Sequence, residues 1–166
     1  MDARVVVAWA LALVIMLAGP VIVALWFRRR TGAPWRAFLL GALIFAVFQL
    51  LTRVPLITLL GPLIGPRIQG SVGLQAIYLV GLGFSAGLVE SVGRWVGYRW
   101  LFPRHLEYTW RNGVAYGLGH GGIESMLLVG LASASSMVQS IYLLSQTPEQ
   151  LRSQLPAAVI ETVLVA

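Results

Sequence analysis

The sequence predicts an all-α, polytopic transmembrane helical bundle with four clear spans and a truncated fifth. Three observations carry this. Hydrophobic residues make up 58% of the 166 residues and charged residues only 11%, against about 25% charged in soluble chains. Mean hydropathy is +0.81, and the apolar residues fall in blocks near the length of about 20 that a helix needs to cross the hydrocarbon. The roughly ten-residue alternation that builds a membrane barrel does not occur.

The first span is expected over Val5 to Phe27, with a kink at Gly19-Pro20. A signal peptide has its charges before a shorter apolar run; here Arg28, Arg29 and Arg30 follow the run. The second span, Ala37 to Leu60, carries Arg53 and then Pro55, which removes a backbone donor. Arg53 reads as an interfacial anchor that snorkels to the outer surface. Gly61 to Ser71, rich in Gly and Pro, reads as a loop, and the third span follows over Val72 to Trp100. The fourth runs from Asn112 to Ala132, with Met137 to Leu144 either extending it or lying at the interface. The apolar tail from Leu155 to Ala166 reaches about 18 Å as a helix, short of a core of about 30 Å. The expectation is a fifth span cut short.

All twelve basic residues are Arg, and the net charge is +6. Most lie beside apolar spans, where they set topology and face lipid headgroups. The expected partner is therefore membrane lipid and not nucleic acid. Arg28, Arg29, Arg30, Arg36, Arg99, Arg104 and Arg111 fall on one side, and Arg4, Arg67 and Arg152 on the other. This places the N-terminus outside, in an integral protein of a bacterial cell membrane. With no cysteine, disulfides and thiol catalysis are excluded. Nothing in the sequence sets an oligomeric state.

Ionisable groups at membrane depth are costly and usually functional. Glu90 lies nine residues before Arg99, and His120 nine residues after Arg111. If both Arg mark one interface, each group sits about 13 Å deep. Antiparallel helices then bring Glu90 and His120 level. Glu90 and Arg94 are four residues apart, as are His120 and Glu124, so each pair shares a helix face. Glycines recur around them, at Gly83, Gly87, Gly93 and Gly97 and at Gly113, Gly117 and Gly121. Such ridges allow close helix approach and leave room for a substrate backbone. One reading is structural: an Arg94–Glu90 pair and a His120–Glu124 hydrogen bond that fix packing. Another is chemical, with Glu90 as general base and His120 orienting water or stabilising an oxyanion. A third is a catalytic zinc site of His120, Glu124 and Glu90, one nitrogen and two carboxylates with a position left open.

The strings GLVESVGRWVGYRWLF and YGLGHGGIES resemble signatures of the YhfC-like family of intramembrane peptidases, distant relatives of the CAAX prenyl proteases and bacteriocin-processing membrane proteases. FQLLTRVPL, with Gln49, Arg53 and Pro55, is similar to the same pattern. The wider group pairs a Glu-Glu and Arg motif with an aromatic residue four before a His. Glu90 and Arg94 match the first, and Tyr116 with His120 the second, although the double Glu is single here.

The resemblance implies one membrane-embedded peptidase-like domain over residues 1–166, incomplete at its C-terminus. It implies hydrolysis of peptide bonds in membrane-anchored protein or peptide substrates, with Glu90, His120, Arg94 and Glu124 as the catalytic set. Glutamate chemistry is the favoured mechanism, and zinc the alternative. The rival functions are a non-catalytic scaffold that binds a partner and a proton-coupled transporter subunit using Glu90 and Glu124 as a relay.

Overall fold

The computed structural model describes residues 3–146. They form four long helices joined by short turns: α1 (Ala3–Thr31), α2 (Trp35–Ile68), α3 (Val72–His105) and α4 (Trp110–Leu143), each long and apolar enough to cross a membrane. The expected fifth span lies outside the described residues. Helical backbone in α4 continues as far as Ser145, so Met137 to Leu144 extends the helix and is not a separate interfacial segment.

Each turn has a local chemical cause. Gly32, at φ 70°, is the one positive-φ residue among those described. It follows the last residue of α1, the position where a left-handed residue ends a helix at least cost in glycine. The Ser71 hydroxyl accepts from the Leu74 amide at 3.3 Å, and the Thr109 hydroxyl from the Asn112 amide at 3.3 Å. These side chains cap the first turns of α3 and α4.

The expected loop from Gly61 to Ser71 is mostly helix. α2 runs on through Pro62 and Pro66 to Ile68, because backbone groups in hydrocarbon have no water to turn to and helix is the cheapest way to satisfy them. In α1 the helix likewise continues through Pro20. Proline leaves the carbonyl four residues earlier without its helical donor; for Pro20 that is Met16, and the Ser125 hydroxyl of α4 donates to it at 3.2 Å.

Two other prolines follow π-helical segments. Ala46–Arg53 precedes Pro55, and Gly97–Leu101 precedes Pro103. In the first, the Val54 amide reaches back five residues to the Gln49 carbonyl, and the Thr52 hydroxyl donates to the Val47 carbonyl at 2.8 Å. A third π segment, Ser125–Gly130, begins directly after Glu124. Such wide turns alter the direction of the side chains around them and often mark functional sites.

The core lies toward the end of the bundle that carries the Gly32 turn. Phe27, Ala33, Ala37, Phe38 and Ala115 form one buried cluster, and Leu40, Ile44, Phe102 and Tyr116 another. Lipid supplies no hydrophobic drive between helices, so close packing through small residues must do it. α2 and α4 cross backbone to backbone: a Cβ on Gly41 would collide with the Tyr116 carbonyl, and one on Gly119 with the Phe38 carbonyl. By contrast, Val54–Ile68 of α2 contains no buried residue. Arg53 does not snorkel; its guanidinium crosses to α3, donating to the Leu82 carbonyl at 2.6 Å and to Ser85 Oγ at 3.2 Å.

Candidate metal centre

α2 packs against both α3 and α4 and brings their polar groups to one place. On α3, Gly93 admits the Phe48 ring, which a Cβ would meet at 2.8 Å, and so the π segment of α2 lies against the helix that carries Glu90. On the other side, the Gly41 crossing sets the His120 backbone against α2. The ring of Phe45 meets the imidazole edge-on, with centroids 5.2 Å apart and an interplanar angle of 83°.

Glu90, His120 and Glu124 each offer a ligand atom, and these atoms lie within 4.8 Å of one another. Glu90 and His120 thus come together from adjacent helices, and Glu124 joins them from one turn along α4. Arg94 stands one turn from Glu90, with Nη2 3.8 Å from Oε2, and its side chain is 48% exposed. That is a loose pair. The shorter hold on Glu90 comes from Gln49, whose Nε2 donates to Oε1 at 2.8 Å. His105 is exposed, as its place beside the Arg-rich turn suggested.

Sequence reasoning brought in Gln49 only through the family pattern. A sharper signal was present: Gln49 and Arg53 are four residues apart on an otherwise apolar helix, and both reach to α3.

The enclosure of His120 tests whether a metal fits. The residue is 5% exposed, and both of its ring nitrogens are buried without a hydrogen-bond partner. Leaving buried polar atoms unpaired costs about 1–3 kcal/mol per group, so such an imidazole among carboxylates calls for a cation or a water. One nitrogen and two carboxylate oxygens are suitable first-row metal ligands, and three protein ligands leave a fourth zinc position open. The donor set fits zinc.

The family model for the YhfC intramembrane metalloprotease matches residues 13–166. The chain belongs to the YhfC family. It is similar to the uncharacterized membrane protein YhfC of Bacillus subtilis (strain 168), with 35% identity over 147 residues, 88% of this chain and 55% of the relative. The chain therefore spans about half the length of the curated relative it matches. No solved structure matches.

For a YhfC-family protein, the favoured expectation of metal-free glutamate chemistry lacks support. The family description names a metalloprotease, and the cluster of Glu90, His120 and Glu124 suits the zinc alternative. The sequence signalled zinc only weakly, because α4 carries a single His and no HExxH. The carboxylate that completes the set comes from another helix.

Proposed function

We propose that the protein is an intramembrane metallopeptidase whose Glu90, His120 and Glu124 hold a zinc ion. Its substrates are membrane-anchored proteins or peptides, cut in the cytoplasmic half of the bilayer. The observation that carries this is the convergence of the three donors within 4.8 Å from two helices, around an imidazole whose ring nitrogens are buried without a side-chain hydrogen-bond partner.

When bound, zinc supplies Lewis-acid polarisation of a peptide carbonyl in a site with a free coordination position. The chain's own residues do the rest. His120 is fixed by the Gly41 crossing and the Phe45 ring, so its orientation is set before any ligand arrives. Arg94, half exposed and only loosely paired, is available to pair with negative charge developing on the substrate. Gly117 and Gly121 have open space at their missing Cβ positions, so an extended substrate backbone can lie beside His120 and Glu124.

The test uses full-length protein in lipid nanodiscs, with elemental analysis and a membrane-anchored reporter peptide. Wild type is expected to carry zinc and cleave the reporter, while His120→Ala loses both properties and Glu90→Gln binds zinc more weakly and loses cleavage. Undiminished cleavage by both variants would remove the assignment. Folded, zinc-loaded wild type that cleaves no membrane-anchored peptide would favour a scaffold role.

A further inference from the structure

Among the described residues Gln49, like His120, is a buried polar side chain. It is 2% exposed, stands in the middle of the Ala46–Arg53 π segment, and makes one hydrogen bond, from Nε2 to Glu90 Oε1 at 2.8 Å. Its own Oε1 is buried and unpaired. Reversing the amide would set its oxygen against a carboxylate oxygen, so the hydrogen-bond partner fixes the orientation. A glutamine that only filled space at this position could be replaced by an apolar residue of the same shape at little cost. Instead the helix keeps an amide at membrane depth and supplies one of its two polar ends to Glu90.

The two oxygens of Glu90 are therefore unequal. Oε1 is occupied by Gln49 at 2.8 Å; Oε2 faces Arg94 at 3.8 Å, too far for a hydrogen bond. We infer that Gln49 is a positioning residue for the metal site: it ties down Oε1 of Glu90 and leaves Oε2, only loosely paired with Arg94, as the donor toward the ion. This rests on the metallopeptidase reading. Carboxylates that bind metal are themselves held by outer partners, and loss of such a partner typically lowers metal affinity by about 10- to 100-fold.

The site also explains the irregular helix around it. The prolines and wide turns of α2 place Gln49, and not an apolar neighbour, opposite Glu90. The π segment ends at Arg53, two residues before Pro55, and Gln49 lies within it.

The experiment is a zinc-competition titration with a chromophoric chelator on full-length protein in nanodiscs. It compares wild type, Gln49→Met and Gln49→Asn, each also in a Glu90→Gln background. Methionine keeps the volume and removes the amide; asparagine keeps the amide and falls one methylene short. Both are expected to weaken zinc binding about 10- to 100-fold in the wild-type background, and by less than about threefold once Glu90 is Gln, because coupled residues are not additive. An equal loss in both backgrounds would show a general packing role and overturn the inference. So would unchanged zinc affinity in both variants while His120→Ala abolishes binding, an outcome that leaves the metallopeptidase reading standing. Absence of zinc binding by wild type would overturn both.

Discussion

The backbone of Gly41 lies directly against that of His120: a Cβ on Gly41 would come within 2.9 Å of the His120 amide nitrogen and closer still to the Tyr116 carbonyl. The one intramembrane histidine among the described residues is thus positioned by a contact between two backbones, with no adjustable side chain between them. Helix packing and site geometry are here the same interaction.

Substitutions along the glycine ridges should accordingly divide into two classes. Gly41→Ala and Gly119→Ala put a methyl group into opposing backbone, and should destabilise at or above the upper end of the about 1–3 kcal/mol usual for overpacking. Gly117→Ala and Gly121→Ala meet open space and should be neutral or stabilising by about 0.5–1 kcal/mol, the helix preference of Ala over Gly. Thermal unfolding in detergent separates the classes; equal effects at all four positions would contradict this packing.

Arg53 offers a test of an interhelical contact against a lipid contact. Its hydrogen bonds to the Leu82 carbonyl and Ser85 hydroxyl should give a coupling with Ser85 near the membrane average of about 0.6 kcal/mol, with about 1.7 as a ceiling. A double-mutant cycle of Arg53→Met and Ser85→Ala in an unfolding assay measures it. Zero coupling would return Arg53 to the role of a headgroup anchor.

The parts of this molecule that could be read from the sequence follow from fixed helical rise. Taking Arg99 and Arg111 as markers of one interface, a count inward along each helix brings Glu90 and His120 together. What escaped that reading depends on departures from regular helix or from aqueous rules. Gly61 to Ser71 looked like a loop because Gly and Pro break helices in water, where a freed carbonyl can be hydrated; in hydrocarbon the helix continues to Ile68. Gln49 was hard to assign because its direction follows from a π segment, which no uniform period encodes. The mutual distance of Glu90 and Glu124 depends on how two helices rotate about α2, and no count along one helix supplies it.

Topology is testable cheaply because the chain has no cysteine. The Arg distribution predicts that the Gly32 turn and residues 106–109 face inside and the turn before Val72 outside. A single cysteine at Gly70 should react with a membrane-impermeant maleimide on intact cells. One at Glu107 should react only after permeabilisation. The opposite pattern would invert the protein and move the proposed cleavage level to the outer half of the bilayer.

The metal centre makes a prediction about pH as well as occupancy. A ligating imidazole must be neutral and a ligating carboxylate ionised, so zinc binding displaces protons and weakens as pH falls. With Glu90, His120 and Glu124 as the ligand set, chelator-competition titrations across a pH series should show apparent zinc affinity declining steadily on acidification. Replacing Glu124 with Gln removes one titrating donor. Its binding should be weaker throughout and fall less steeply with acid, while His120→Ala should lose more than the about 100-fold that marks the upper end for an outer partner. Zinc affinity independent of pH would overturn the whole ligand set, whereas equal pH slopes for wild type and Glu124→Gln would exclude Glu124 alone and leave Glu90 and His120 as the protein donors of the three.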